Sequence, residues 1–353
     1  MFGRGVSTQR RRALSLSSLH ELLSVQQELN DLEASTTESG TLSRLGTLRR
    51  ALQVKRRGSR PLCPGGEGTL IDFNERKLTE ARRLWPLVNF FNPYSWSPTL
   101  GERMLLLGCL LLPKARFRPT QALVTAFFCM RRISRNQSIY LWNPYSIFHH
   151  AIAQVSSVSD TYLLAPFYPL ISGAPTYWVN HASAQVLGIP DNRVELIKAD
   201  IRLVSDARYA AFYLTKLDFE SSDETTLVQL AVAVSVNYDI RIFLHPADRN
   251  RRALARLPEP IRGFCSTEPS LMSVSGRQVG LSSVSTIGLD LASAGLEHLF
   301  LLNCKDPRGA AARSKLPDWA HGVGRLLDAS ASVESLADQV GSILMSERDG
   351  LDA

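Results

Sequence analysis

Residues 278–302 read QVGLSSVSTIGLDLASAGLEHLFLL, and their pattern sets the fold class. Gln278 to Ser282 has the length and apolar content of a strand. Ile287 to Ala294 has that of a short helix broken at Gly295, and His298 to Leu302 that of a second strand. Strand, polar turn, helix and strand in that order form the repeat of a doubly wound α/β sheet. The alternation continues upstream. Tyr209 to Leu214 reads as a strand, Ser222 to Val236 as a helix with Asp223 and Glu224 in its first turn, and Ile240 to Leu244 as a strand running into His245-Pro246. Arg249 to Leu257 reads as a helix, Phe264 to Ser266 as a short strand, Glu268 to Ser273 as the opening of a helix, and Val333 to Met345 as an amphipathic helix. Residues 196–345 are expected to form one Rossmann-like domain.

Residues 61–195 carry a second α/β pattern. Pro119 to Arg132 reads as a helix with the proline at its start, where a missing N–H costs nothing. Ser138 to Trp142 is a strand closed by Asn143-Pro144-Tyr145-Ser146, Ile147 to Val155 a helix, and Thr161 to Leu164 and Thr176 to Val179 further strands. The longest apolar run, Met104 to Pro113, is about half the roughly 20 residues a membrane-spanning helix needs, and reads as a buried strand or short helix.

The chain has 353 residues, 44% of them hydrophobic and 21% charged. That excludes a wholly disordered chain, a collagen-like repeat and a small disulfide scaffold. Its formal charge is +7, but residues 1–60 hold 11 of the 40 basic residues against 5 of the 33 acidic ones, so nearly all the surplus lies there. A nucleic-acid enzyme grips phosphates with a basic folded surface, and nucleic acid is not an expected partner. Residues 1–60 read as a basic, partly disordered tail. Leu22, Val25, Leu29 and Leu32 form one helical stripe, and Arg49, Arg50, Lys55, Arg56 and Arg57 stand among leucines, a pattern suited to an anionic membrane surface. The stretch after Arg10 to Arg12 is too interrupted for the apolar core of a leader. Five widely spaced cysteines fit neither a complete disulfide framework nor a metal site, and read as reduced thiols of a cytoplasmic protein.

In an open α/β sheet the ligand lies beyond the carboxyl ends of the strands. There this chain delivers Thr215 and Lys216, then His245-Pro246, then Ser266 and Glu268, then Ser283, Ser285 and Thr286. Hydroxyls at a helix start serve an anion such as a sugar phosphate, or simply cap the helix. An imidazole beside them can donate to, or protonate, a leaving phosphate oxygen. In the amino-terminal half, Asn143, Tyr145, Trp178 and His181 pair aromatic rings with polar groups, which suits sugar recognition. No dinucleotide, phosphate-loop or nucleophile-elbow glycine motif occurs, and no Asp-x-Asp pair stands at a strand end, so no metal or other cofactor is expected.

The order Thr215-Lys216, His245-Pro246, Ser266-x-Glu268, Ser283-x-Ser285-Thr286 and Leu289-Asp290-Leu291-Ala292-Ser293-Ala294-Gly295 resembles the carboxy-terminal donor domain of bacterial GT-B glycosyltransferases of the sialyl- and polysialyltransferase type. The resemblance covers about residues 205–305. It implies a GT-B-like chain of two Rossmann-like domains with a cleft between them, an acceptor domain at 61–195 and a nucleotide-sugar domain at 196–345. It implies an enzyme that moves sugar from a nucleotide-activated, for instance CMP-linked, donor to a glycan or lipid-linked acceptor, building a cell-envelope or capsular glycan at the inner face of the membrane. His245 and Pro246 would contact the nucleotide phosphates, and Ser285 and Thr286 the donor sugar or its phosphate. The acidic pair before glycine that supplies the family's base is missing. Glu67, His149, His150 and His181 are alternatives, and Asp160 is the expected base. A sugar-nucleotide epimerase or hydrolase, and a catalytically lapsed scaffold, are the competing functions.

Overall fold

A computed structural model describes residues 16–32, 43–52, 68–95, 98–133, 137–142, 146–163, 169–171, 176–197, 201–214, 222–244, 254–266, 274–283, 285, 287–302 and 324–346. It divides into two units. One comprises Met1–Val179 with Pro190–Glu195, the other Asn180–Ile189 with Leu196–Ala353.

Two helices within the expected tail, α1 (Leu16–Leu32) and α2 (Arg44–Leu52), belong to the first unit. The leucine stripe explains α1: Leu22 and Leu29 are buried where it packs on α5 (Lys114–Arg132) and α6 (Ile147–Val155). Helix α2 packs on α4 (Leu100–Leu110) through Thr47 and Ala51. These stretches are part of the fold, not a free tail. Residues 1–15, 33–42 and 53–60 of that segment lie outside the described residues.

The first sheet has the order β2 (Val88–Phe91), β1 (Gly68–Ile71), β3 (Ser138–Trp142), β4 (Asp160–Tyr162), β5 (Thr176–Val179), β6 (Val194–Leu196). Strand β1 runs parallel to both β2 and β3, and the parallel ladder continues through β4 to β5. Its register aligns Leu70 with Tyr140, Trp142 with Tyr162 and Tyr162 with Trp178. Because side chains alternate across a strand, this row of mostly aromatic residues lies on one face. Ala81 and Trp85, from α3 (Arg76–Leu84) and its end, pack with it. Trp85 meets Tyr140 at 4.6 Å and Trp142 stacks on Tyr162 at 4.0 Å.

Gly68 is the close approach in this layer: a Cβ there would lie 2.2 Å from Cε2 of Tyr140 and 2.7 Å from the carbonyl oxygen of Ser138. Overpacking a core costs about 1–3 kcal/mol. Gly68→Ala is therefore expected to destabilise the first unit by about that amount in urea titration. Wild-type stability would show that Tyr140 has room to turn aside.

One expected helix starts elsewhere in the structure, and one stretch with two expected readings is settled. Pro119 lies inside α5 because Pro113 already stands at the cap, and Lys114 begins the helix. Met104 to Pro113 takes the helical alternative and is only partly buried, through Leu106 and Cys109. It is most of α4 and the turn after it, started by a reciprocal capping box between Thr99 and Glu102, with Met104, Leu105 and Leu111 exposed.

The second unit repeats the design. Strands β8 (Ala210–Leu214), β9 (Ile240–Leu244), β11 (Val279–Ser282), β12 (Glu297–Leu302) and β13 (Arg325–Asp328) form a parallel sheet ordered β13-β12-β11-β8-β9. A separate parallel pair joins β7 (Leu203–Ser205) to β10 (Val274–Ser275). Alternation sends Phe212, Leu214, Ile242, Leu281, Leu299 and Leu301 into a core with α8 (Ser222–Val234) and the C-terminal helix Val333–Ser346. The opposite face packs Tyr213, Phe243, Leu291 and Leu296 together, and sets Phe300 and Leu302 against Leu289 and Ala182. The last two come from the helix Ile287–Ser293 and from α7 (His181–Leu187). Helices therefore cover both faces of an all-parallel sheet, as such sheets require.

Each large sheet, numbered by its own strands, follows the order 2-1-3-4-5, with β6 added in the first. That is the flavodoxin-like doubly wound order, and its topological switch point falls between strands 1 and 3. The protein is an α/β protein with two parallel sheets, of six and five strands.

Candidate functional site

The switch point of the second unit lies between β8 and β11, and the serine run follows β11 at the carboxyl edge. The structure gives its hydroxyls different duties. Ser282 is fully buried, with Oγ 2.8 Å from Nε2 of His298. Ser285 Oγ accepts the Ile287 N–H at 3.3 Å and so caps the following helix. Ser283 sits buried between them, at the edge itself. Ser285 is thus engaged at the helix start, and Ser282 is held by the core.

His298 lies in the middle of this packing. Gly280 on the neighbouring strand makes room for it, since a Cβ there would stand 2.5 Å from its Nδ1. Burial pushes the pKa of the ring down to about 3, so it is neutral at ordinary pH. On the helix after the serine run, burial pushes the Asp290 carboxyl up to about 6, although Asn180 Nδ2 donates to it at 2.8 Å. The Ala182 N–H donates to Ser293 Oγ at 3.1 Å, so α7 is pinned to that helix by two polar contacts as well as by packing.

The first unit's switch point lies between β1 and β3, and a second polar cluster occupies its carboxyl edge. Asp72 follows β1, while Ser146 and His149 open α6 just beyond β3. Ser146 Oγ is 2.8 Å from His149 Nδ1, and His149 Nε2 is 3.7 Å from Asp72 Oδ2. Asp72 also receives Lys77 Nζ at 3.2 Å and the Asn74 N–H at 2.8 Å. Burial alone would raise the Asp72 pKa, but His149, Lys77 and Asn74 together leave it lowered, so the carboxylate is charged at neutral pH. Phe73 packs beside the cluster against Phe148 and Tyr94. Arg50 of α2 stacks over Tyr94 and donates to the carbonyls of Pro93 and Tyr94.

Serine, imidazole and carboxylate in this order resemble a nucleophile relay, but Ser146 and His149 are 1% exposed and Asp72 2%. A reacting group must come within hydrogen-bonding reach of the proton it loses, and these atoms are closed to solvent. In this structure the cluster anchors the sheet edge.

The other expected site residues fall as follows. Asp160 opens β4, at the amino edge of the sheet. That is the wrong end for a base acting beyond the carboxyl ends, and among the described residues the carboxyl edge holds Asp72. Ser266 lies past an isolated bridge between Ile242 and Cys265, beyond β9. Three strand spacings, about 14 Å, separate that position from β11, so Ser266 and the serine run do not form one cluster. Trp178 is on the aromatic face of the first sheet, and His181 is exposed at the start of α7 in the second unit. Asn143, Tyr145, Thr215, Lys216, His245, Pro246, Glu268 and Thr286 lie outside the described residues, as does Glu67. Among the described residues no group of three His, Cys, Asp or Glu side chains is placed to hold a metal ion. Nor is any described helix long and apolar enough to cross a membrane.

Asp72 was missed because β1 is only four residues long and begins at glycine. The one available signal was Thr69-Leu70-Ile71 ending abruptly at Asp72-Phe73-Asn74.

No family model matches the sequence, and no curated protein does. Among solved structures, the N-terminal domain of Candida albicans trehalose-6-phosphate phosphatase is similar at a TM-score of 0.31 and 10% identity, over 86% of this chain and 85% of that one. A likeness of that strength carries no inference about activity, and the fold assignment rests on the strand order and register.

Proposed function

We propose that the protein is a metal-independent glycosyltransferase of GT-B type that binds a nucleotide-activated sugar at the carboxyl edge of its second sheet. The observation that carries this reading is the location of the serine run. It follows the switch-point strand β11 of a parallel sheet ordered 2-1-3-4-5, where doubly wound folds bind their nucleotide ligands. The sequence resemblance supplies the donor class. It assigns His245 to the leaving phosphate, with Ser285 and Thr286 near the sugar or its phosphate. Leaving-group charge is then stabilised by fixed donors, which act strongly in a site shielded from water.

The test is a thermal-shift panel of CMP, CDP, UDP and GDP, followed by donor turnover with and without a glycan or lipid-linked acceptor. A cognate nucleotide at about 100 times its Kd is expected to raise the melting temperature by about 5–10 °C. His245→Ala should abolish transfer while leaving the melting temperature of the free protein unchanged. Absence of a shift with every nucleotide would overturn the reading. Turnover without acceptor would move the assignment to a sugar-nucleotide hydrolase.

A further inference from the structure

The most unusual surface of the first unit is made by two packed helices whose outward sides are leucine-rich. Helix α4 buries Glu102, Leu106 and Cys109, which recur every three or four residues and form its inner stripe. Its outer side should be polar, yet Leu100 is 77% exposed, Leu111 just beyond its end is 88% exposed, and Met104 and Leu105 stand exposed between them. Helix α2 packs on α4 and repeats the inversion. Thr47, Arg50 and Ala51 are buried, while Leu45, Leu48 and Leu52, spaced three and four apart, are exposed. Isolated exposed leucines need no explanation, but two adjoining helices that both turn leucine rows outward do.

The charges identify the partner. Residues 43–60 contain no acidic residue, and residues 98–118 contain only Glu102. That carboxylate is 4% exposed and is held by both Arg132 guanidinium nitrogens, at 2.6 and 2.7 Å. The exposed cations Arg44, Arg49, Lys114, Arg116 and Arg118 share these two segments with the exposed leucines, and neither segment carries an exposed carboxylate. A protein interface ordinarily has a rim of mixed polar groups. Exposed leucines on segments whose exposed charges are all cationic match an anionic lipid surface, where apolar side chains enter the headgroup region and each nearby cation contributes about 1 kcal/mol.

We infer that α2, α4 and the start of α5 form a face that docks on an anionic bilayer, lying in the interface plane. This face takes α2 from the expected tail and adds α4 and the start of α5 from the folded unit.

The full chain should co-sediment with vesicles of phosphatidylcholine and phosphatidylglycerol at low salt, and much less with phosphatidylcholine alone. Arg49→Glu/Arg116→Glu should lower partition onto the anionic vesicles by about 30-fold or more. Leu100→Gln/Met104→Gln/Leu111→Gln changes only exposed positions, so it should keep the wild-type melting curve while losing vesicle binding. Three results would overturn the inference: no sedimentation of wild type, equal sedimentation on neutral vesicles, or variants that bind like wild type. Self-association of wild type that the leucine variant abolishes, without lipid dependence, would make a second copy of the chain the occupant instead. None of these outcomes depends on nucleotide binding, so this face and the donor reading succeed or fail separately.

Discussion

Asp72→Ala is expected to cost the first unit about 3–5 kcal/mol, the usual loss when one partner of a buried, hydrogen-bonded charge cluster is removed. Three groups converge on this carboxylate: the Asn74 N–H, the Lys77 ammonium, and the His149 ring that also meets Ser146. Without it, the His149 ring loses its carboxylate neighbour in a site sealed from water. The strand-to-helix corner after β3 then loses its tie to β1. The sign with pH follows from the lowered carboxyl pKa. Its stabilisation is present above the unfolded value of about 4 and is lost only as pH falls through the folded value, so the full effect is present at neutral pH. Trp85, Trp142 and Trp178 lie on or against the first sheet, so tryptophan fluorescence in urea will report chiefly on this unit. Asp72→Asn, which keeps the acceptor for Asn74, should recover part of the loss. A change below about 0.5 kcal/mol in Asp72→Ala, the range of ordinary surface substitutions, would show that the cluster does not hold the edge.

How much of this could be read from the sequence depends on the element. Strands β3 and β5 and helix α6 coincide with the apolar runs that announce them, because turn residues close each run: Asn143-Pro144 after β3, and Asn180 after β5. Strands β8, β9, β11 and β12 of the second sheet were legible from their mostly apolar, mostly buried runs. Strand β13, with Arg325 and Asp328 at its ends, was not read. Nor was strand β1, because four residues starting at Gly68 carry too little pattern, and the Asp72 anchor was lost with it. Helix α4 misled for the opposite reason. Its apolar run implied burial, whereas half of those side chains face solvent, and hydrophobicity alone cannot separate a core from a docking face. The serine run was correctly placed at a strand end, but its division of labour was not readable. The Ser282–His298 contact joins strands sixteen residues apart, and only the register brings them together.

The second unit should show two opposed titrations that nearly cancel in the wild-type protein. His298 is held near a pKa of about 3 by burial, against about 6.5 unfolded. Its folded pKa is depressed, so the stability it allows is complete above pH 6.5 and is lost as pH falls towards 3. Between pH 7 and 4.5 that loss is about 3 kcal/mol, at about 1.4 kcal/mol per pH unit. Asp290 has the opposite sign. Burial raises its pKa to about 6, partly countered by the Asn180 hydrogen bond, so the folded state favours the protonated acid. Its contribution is complete below the unfolded value of about 4 and is lost as pH rises through 6, and the same acidification returns about 2 kcal/mol. The two groups should leave a net change of only about 1 kcal/mol in the wild type, and single substitutions should unmask each limb. Asp290→Asn keeps an acceptor for Asn180 and removes the titration. It should stabilise the unit at pH 7 by about 1–3 kcal/mol and expose the steep acid loss of His298. His298→Gln keeps a polar partner for Ser282 and should reverse the slope, leaving a unit that gains stability between pH 7 and 4.5 relative to its own neutral value. The comparison is one of slopes, so packing costs of either substitution drop out. Parallel pH profiles for wild type and both variants would mean that neither group titrates differently in the folded and unfolded chains.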